Sequence, residues 1–312
     1  MACKLCKIKP IYKLPNETLC KTCFIKYFEN KVFKTIRKHN LFNLDDKLVV
    51  ATSGGKDSIT VLYLTHKFLS KKGLQDNVSA LVIDEGIANY REHTIEFLEN
   101  FCKKHKINLK NISYQKRFDS TLDNAIKKLK EKDSNVSPCN ICGTFRRNAL
   151  NIGARELGAT KLVTGHNLDD EAQSILLNIF KNNFSILNRM GPCNGTVTDS
   201  KFIPRVKPLY NVTEKEVRLY TIVMGFDVTY DECPYSYESF RGEIGDMLNK
   251  LEDKVGGVKS SITKFYLEIK DDLQKKYVKN NGCQIKYCTV CGEPANKLVC
   301  NTCEMKEFVR NG

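Results

Sequence analysis

The sequence predicts an α/β fold: a doubly wound parallel sheet, with a small four-cysteine module at each end and a helical segment near the C-terminus. Three observations carry this expectation. Apolar strand-like runs alternate with helical patterns through the middle of the chain. A Ser-Gly-Gly turn directly follows the first of those runs. Ten of the 14 cysteines fall in Cys-x-x-Cys pairs, four of the five pairs lying at the termini.

Taken in order, Lys47 to Ala51 (KLVVA) is a buried-strand run, and a glycine turn leads into the helical stretch DSITVLYLTHKFL. NVSALVIDEG is a second strand, followed by a helix from about Asn89 to Lys104. INLKNISY is a third strand, with a helix near Leu122 to Lys132. Cys139 and Cys142 are expected on a loop that opens the next helix, FRRNALNIGARELG. KLVTG is then a strand and DDEAQSILLNIF a helix. In such sheets ligands lie at the carboxyl ends of the strands. Past Pro204 the pattern changes. TEKEVRLYTIVMGF reads as a helix with a threonine cap, DVTYDEC as a short extended segment, and about Ser239 to Lys279 as Lys-rich helix interrupted at Gly256-Gly257. The expected divisions are 1–30, 31–235, 236–282 and 283–312.

A chain of 312 residues can bury one sizeable core and still carry small modules. No stretch approaches the roughly 20 apolar residues that span a bilayer, and MACKLCKIKP has no apolar leader. A cytoplasmic protein without membrane contact is the expectation. Net charge is +14, from 50 basic and 36 acidic residues, which favours a polyanionic partner over a merely solvated lysine surface. Fourteen cysteines without a secretion signal read as metal ligands or catalytic thiols rather than disulfides.

Ser53-Gly54-Gly55-Lys56-Asp57-Ser58 follows a strand and opens a helix, the context a phosphate-binding turn requires. The glycines allow close backbone approach, the helix start offers unpaired amides, and Lys56 supplies a cation. The string departs from G-x-x-x-x-G-K-[ST], because Asp57 follows the lysine, so a kinase or GTPase reading is disfavoured. Thr164-Gly165-His166-Asn167-Leu168-Asp169-Asp170-Glu171-Ala172 repeats the strand-to-helix setting. Its two Asp and one Glu suit the helix dipole, and the alternative is that Asp169 and Asp170 hold Mg²⁺ or orient the reacting groups.

SGGxDS after a strand resembles the PP-loop ATPases of the adenine nucleotide α-hydrolase type. The resemblance implies that ATP is split between its α and β phosphates, adenylating a carbonyl-type oxygen that a nucleophile then displaces. It implies nucleotide contacts from Ala51, Ser53, Gly54, Gly55, Lys56, Asp57 and Ser58, from the strand end Val82-Ile83-Asp84-Glu85-Gly86 beside the adenine and ribose (Ile83 and Asp84 above all), and from Gly165, His166, Asp169 and Asp170, with Mg²⁺.

Pro138-Cys139-Asn140-Ile141-Cys142-Gly143 lies inside the nucleotide domain with no second pair near it in sequence. Cys233, in Glu232-Cys233-Pro234-Tyr235, is the candidate third thiol, and Cys193 a weaker one. Three thiolates do not close a structural zinc site, but they suit a [4Fe–4S] cluster with one open iron. A catalytic disulfide and persulfide pair is the rival chemistry, and an unreactive buried pair the third alternative.

SGGKDS, PCNICGTFRR, TGHNLDDEAQ and ECPY, framed by cysteine modules, resemble the TtuA/NcsA family of tRNA 2-thiouridine synthetases, which is related to the eukaryotic cytosolic wobble-uridine thiolase. This implies ATP-dependent replacement of a uridine C2 oxygen by sulfur and an iron–sulfur cluster on Cys139, Cys142 and Cys233. Arg146-Arg147 stand where a catalytic lysine is expected; Arg146 and Asp170 are taken to assist the chemistry. The implied partners are tRNA and a sulfur donor, which is free sulfide, a persulfide or a ubiquitin-like thiocarboxylate protein; a homodimer is also envisaged. Thiolation of a tRNA cytidine, persulfide chemistry without a cluster, and an RNA-binding zinc protein with a vestigial nucleotide site are the competing readings.

Cys3/Cys6 with Cys20/Cys23 has 13 residues between pairs, and Cys288/Cys291 with Cys300/Cys303 has eight. Both match four-cysteine zinc modules, giving two zinc ions in all. Lys4, Lys7, Lys9, Lys13, Lys21 and Lys26 around the first suggest RNA contact, against a purely structural clamp. Cys102 is expected in the core, and Cys283 lies outside the pairs.

Overall fold

The chain opens with a two-strand antiparallel ribbon, β1 (Tyr12–Lys13) and β2 (Thr18–Leu19), and a long helix α1 (Lys21–Lys38). The computed structural model describes residues 2–13, 18–131, 136–194, 201–228, 230, 233–235, 240–279 and 286–310. Next come β3 (Leu48–Thr52), α2 (Lys56–Ser70), β4 (Val78–Asp84), α3 (Glu92–His105), β5 (Asn108–Ser113), α4 (Tyr114–Phe118), α5 (Leu122–Glu131), α6 (Pro138–Glu156) and β6 (Lys161–Val163). Then follow α7 (Leu168–Phe180), α8 (Phe184–Leu187), β7 (Cys193–Asn194), β8 (Arg205–Val206), α9 (Glu214–Met224), α10 (Phe240–Val255) and α11 (Val258–Lys279). A second ribbon, β9 (Lys286–Tyr287) with β10 (Pro294–Ala295), and α12 (Asn301–Arg310) end the chain.

The central sheet has the order β5-β4-β3-β6-β8-β7, parallel except for β7, which pairs antiparallel with β8. Its middle strands are buried on both faces, which explains their continuous apolar runs. Alternate residues divide between two cores. Leu48, Val50, Ala80 and Val82 point to one side, packed with α1, α2, α3 and α9. Val49, Leu81 and Ile83 point to the other, packed with α4, α5, α6 and α12.

Most strands and helices expected from the sequence are present, with four differences. The cysteine pair lies within α6 itself rather than on a loop before it. Ser137 is the N-cap, accepting from the Asn140 amide at 3.3 Å, and Pro138 occupies the first turn, where a proline loses nothing. The edge strands β7 and β8 have two residues each, too short for periodicity to reveal. In DVTYDEC, residues 229, 231 and 232 lie outside the described residues, and the described ones belong to no strand. Cys283 and Ser239 also lie outside them. Helix α1 runs across the expected division at residue 30.

The N-terminal module is tied to the domain by one buried carboxylate. Glu216, 1% exposed, is the third residue of α9 and completes a capping box with Thr213. It also accepts from Lys31 Nζ at 2.8 Å, Tyr12 at 3.2 Å and Tyr27 at 3.3 Å. Phe28 stacks on Tyr220 beside it, with ring centroids 4.4 Å apart. Replacing Glu216 with Ala should cost about 3 kcal/mol, the usual effect of removing one partner of a buried ion pair. Chemical denaturation would measure the loss, and quicker proteolysis ahead of α2 would place it at the N-terminal junction.

Candidate active site

The strand order reverses direction at β3: β4 and β5 lie on one side, β6, β8 and β7 on the other. The turns after β3 and β6 therefore face each other across the crevice where open α/β sheets bind ligands. In the first turn Gly54 has φ +80°, and a Cβ there would lie 2.1 Å from Thr94 Cγ2, so no side chain fits. Ser58 Oγ accepts from the Ser53 amide at 3.1 Å and donates to the Gly55 carbonyl at 2.9 Å. Ser58 thus shapes the loop. Gly55 caps α2 without a side chain, leaving the first amides of that helix for a ligand. Lys56 Nζ pairs with Glu214 at 2.8 Å and Asp57 at 3.0 Å. Burial works against its charge, but these two carboxylates outweigh it and hold its pKa above the ordinary lysine value.

The second turn presses against the first. A Cβ on Gly165 would sit 3.0 Å from the backbone of Asp57. Asn167 caps α7, accepting from the amides of Asp169 and Asp170, and its amide group donates to Asp57 Oδ1 at 2.9 Å. Asp170 faces Arg241 at 2.8 Å. Burial raises the pKa of both Asp57 and Asp170 above the usual carboxylate value, against Lys56 and Arg241 respectively. Asp169 is turned differently: it pairs with Lys259 and accepts the Glu214 amide at 2.9 Å. Its carboxylate joins α7 to α9 and α11. His166 is exposed at the crevice, its Nδ1 2.9 Å from Thr164 Oγ1. The walls of the crevice and the cations Lys207, Arg241 and Arg205 hold the imidazole neutral. Ala51, Ile83 and Asp84 line the carboxyl ends of β3 and β4, where Asp84 accepts the Gly86 amide at 2.9 Å.

The cysteines of α6 lie on the sheet face opposite α2. Cys142 is buried; Tyr114 OH donates to its carbonyl at 2.9 Å, and Arg146 Nη2 approaches its sulfur at 3.2 Å. Burial pushes the Cys142 thiol up, against Arg146. Cys139 is exposed, its sulfur 3.7 Å from the Tyr235 carbonyl, so the segment carrying Cys233 lies over the start of α6. Cys233 packs into the same apolar cluster as Cys142, whereas Cys193 sits on β7 at the far edge of the sheet. The structure thus brings Cys139, Cys142 and Cys233 into one region and keeps Cys193 out of it.

Two residues complete this wall: Glu85, from the strand end expected beside the adenine and ribose, and Arg91, which the sequence did not single out. Glu85, fully buried, accepts from Arg91 Nη2 and Arg146 Nη2, each at 2.8 Å. Burial would raise its pKa, but the two arginines outweigh it and hold the carboxyl below its usual value. Arg91 Nη1 also donates to the Ser53 carbonyl at 2.9 Å. Arg91 belongs to no recognisable local pattern.

Cys3, Cys6, Cys20 and Cys23, and separately Cys288, Cys291, Cys300 and Cys303, are the sets of ligand atoms that all lie within 4.8 Å of one another among the described residues. The two sets share an order of burial, their first and third cysteines being buried. Burial pushes the Cys3 thiol up, yet the amides of Cys20, Leu5 and Cys6 bring it down to about 6. Cys288 is likewise brought to about 6, against burial, by the amides of Cys300, Cys291 and Val290. Each set thus holds a thiolate ready for a metal. The second module is pinned to α6 by Arg155–Glu293, at 2.5 Å, and to α5 by Lys128 Nζ donating to the Val309 carbonyl at 2.6 Å. No helix among the described residues is long and apolar enough to cross a membrane.

A glycine phosphate turn at the switch point of a parallel sheet defines a nucleotide-binding α/β protein of the PP-loop class, and the PP-loop domain family matches residues 26–251. The three-thiol site opposite that turn and the four-cysteine modules narrow the class. The chain belongs to the family of tRNA 2-thiolation sulfurtransferases, a family of enzymes. It is 34% identical over 311 residues to the tRNA-5-methyluridine(54) 2-sulfurtransferase of Pyrococcus horikoshii, covering 97% of this chain and 93% of that one. It is 34% identical over 304 residues to the tRNA 2-thiolation protein NcsA of Haloferax volcanii, covering 93% of each. The structure of the U34-tRNA thiolase NcsA from Methanococcus maripaludis with its [4Fe-4S] cluster superposes with a TM-score of 0.79 at 30% identity, covering 100% of this chain and 96% of that one.

Gly54→Ala should weaken ATP binding by at least about tenfold, because a side chain at this φ costs roughly 1–3 kcal/mol before the clash with Thr94 is counted. Isothermal titration with ATP would measure it; an unchanged Kd would show that the loop binds in another conformation.

Proposed function

We propose that this chain is a cytoplasmic ATP-dependent synthase of 2-thiouridine in tRNA, which adenylates the C2 oxygen of a uridine and replaces it with sulfur. The observation that carries this reading is the shared wall between the phosphate turn and the cysteine site: Arg91 and Arg146 meet on one carboxylate, one reaching Ser53 and the other Cys142. An activation site and a sulfur site side by side suit a reaction in which one atom is first activated and then displaced. The names of the relatives supply the substrate class.

In this mechanism the amides of Gly54, Gly55 and Lys56 and the Lys56 ammonium hold the β and γ phosphates of ATP. Asp57 and Asp170, which face the crevice from its two turns, would hold Mg²⁺, which would supply positive charge for the phosphates. The uridine C2 oxygen attacks the α-phosphorus, the bond to the β-phosphate oxygen breaks, and pyrophosphate leaves. A sulfur nucleophile then adds at C2, and AMP departs with the original oxygen. Arg146, with 45% of its side chain exposed, reaches from Glu85 to the open side of the cysteine site and steadies negative charge there.

The three thiols of that site are not among the sets that converge within 4.8 Å, a spacing unsuited to one ion. The donor set fits a cluster: Cys139, Cys142 and Cys233 would hold [4Fe–4S], which supplies an iron with an open coordination position for sulfide. The terminal sets fit tetrahedral zinc, worth about 10–16 kcal/mol of folding energy in small modules of this kind. The net charge of +14 and the lysines around Cys3 and on α11 suit tRNA phosphates.

Protein purified without oxygen should contain about four iron and about two zinc per chain. With tRNA, ATP and sulfide it should form 2-thiouridine, detected by nucleoside mass spectrometry, and fragment mapping would give the position. Active protein free of iron would replace the cluster by persulfide chemistry. Thiocytidine as the product would move the substrate to a cytidine. Cys233→Ala should lose the iron and keep the zinc, whereas undiminished iron would remove Cys233 from the ligand set. A strong chelator should unfold the terminal modules and leave the central helix signal in circular dichroism largely intact.

A further inference from the structure

Glu85 directly follows β4 with none of its surface exposed. Neither the phosphate turn nor the three thiols requires a carboxylate at that depth. Two guanidinium groups share it. Arg91, from the turn before α3, binds Oε2 through Nε and Oε1 through Nη2, the second contact at 2.8 Å. Arg146, in the third turn of α6, reaches the same Oε1 at 2.8 Å through Nη2 and at 3.1 Å through Nε. From this common point the arginines extend in different directions. Arg91 Nη1 donates to the Ser53 carbonyl at 2.9 Å, inside the phosphate turn. Arg146 Nη2 lies 3.2 Å from Cys142 Sγ.

The five groups form a continuous chain from Ser53 through Arg91, Glu85 and Arg146 to Cys142. One buried negative charge between two positive ones is a costly way to fill a core, since apolar residues of similar volume are often more stable. What it adds is dependence. Both arginines bond to Oε1, so a shift of one changes the hydrogen bonds left for the other. Arg91 is held on several sides and 7% exposed, while the side chain of Arg146 is 45% exposed. Movement of the turn is therefore passed on mainly to Arg146.

We propose that Glu85 is a positioning residue that couples occupancy of the phosphate turn to the placement of Arg146 beside Cys142, so that the sulfur site is arranged when nucleotide is bound. The coupling rests on the reading of Cys139, Cys142 and Cys233 as the sulfur-handling site, yet it concerns only residues of this chain. With the turn filled, the Ser53 carbonyl holds Arg91, Arg91 fixes the Glu85 carboxylate, and Arg146 takes one position over Cys142. Phosphates held by the amides of the turn would narrow the movement of the Ser53 carbonyl, and the chain of contacts would carry that restriction to Arg146.

The test uses full-length protein without iron, so that the outcome is independent of cluster assembly and of tRNA thiolation. Iodoacetamide labelling of Cys142 is followed by peptide mass spectrometry, with Cys139 as internal reference, with and without saturating α,β-methylene-ATP. In the unaltered protein the analogue should change the ratio of the two rates by at least about fivefold, the lower end of ordinary coupling between sites. Glu85→Gln keeps the shape and removes the shared charge, and it should abolish that change while the analogue still binds. Arg91→Met removes the arm to Ser53 together with the Arg91–Glu85 pairing and leaves Glu85 paired with Arg146, so it should do the same in a folded protein should the first variant not fold. Arg91→Lys, too short to bridge both partners, should not restore it. An analogue effect of full size in the variants, or none in the unaltered protein, would overturn the proposal. Failure of the iron assignment would appear separately, as active iron-free enzyme.

Discussion

The first turn of α7 is where the structure converges, and the constraint there is the Asn167 cap. Its side-chain oxygen takes the amides of Asp169 and Asp170, and its nitrogen reaches Asp57 in the phosphate turn at 2.9 Å. Fixing those two backbone amides fixes where the two aspartates point. Asp169 is sent inward to Lys259 of α11 and the amide at the start of α9, and Asp170 outward to Arg241 of α10. One short turn thereby joins the nucleotide loop to three helices. Carboxylates at a helix start are also favoured by the dipole, which lowers the cost of crowding three acidic residues into four positions.

This arrangement explains why Lys259, in a Lys-rich helix, is buried rather than exposed. It compensates Asp169, and Asn249 of α10 takes a further bond from it at 2.6 Å. Lys207 does the same for Glu171, at 2.6 Å. Each cation removed would strand a buried carboxylate, an effect of about 3–5 kcal/mol. The charged residues of α10 and α11 thus divide: those facing α7 build the domain, and the rest remain at the surface. The helical segment is an arm held by the site's own framework, so its position relative to the crevice is set by the residues that shape the phosphate turn.

The sequence made the turns legible because backbone geometry dictates their residue types. Gly54 must be glycine at φ +80°, and Gly165 must be glycine where it touches Asp57, so both motifs stand out in one dimension. The middle strands were legible for a similar reason, since burial on both faces leaves a continuous apolar run. What could not be read depends on distance along the chain. Glu85 meets Arg146 across 61 positions and Asp169 meets Lys259 across 90, and nothing local marks either pairing. The start of α6 was misread because Pro138 suggests a break, whereas behind the Ser137 cap it is a first-turn residue. Asp169 read as a nucleotide ligand from its place in the motif; the three-dimensional contacts give both its oxygens to the fold.

The contrast between the cysteine sets follows from how each is built. At the termini four thiols arise from paired turns closed by short ribbons, and backbone amides pull one thiol of each set down to about 6. Such sites are rigid, closed and separate from the crevice, properties of a metal that holds a fold together. In α6 the two thiols sit on a helix, one buried and one exposed, and the third comes from a segment laid across that helix. Here no fourth cysteine among the described residues closes the set, and a cation, Arg146, lies 3.2 Å from Cys142 Sγ. A site open on one side, with positive charge at its edge and a wall shared with a phosphate turn, is suited to receive a substrate. The same residue type thus serves stability at the ends of the chain and chemistry in its centre, and the difference lies in what surrounds the thiols.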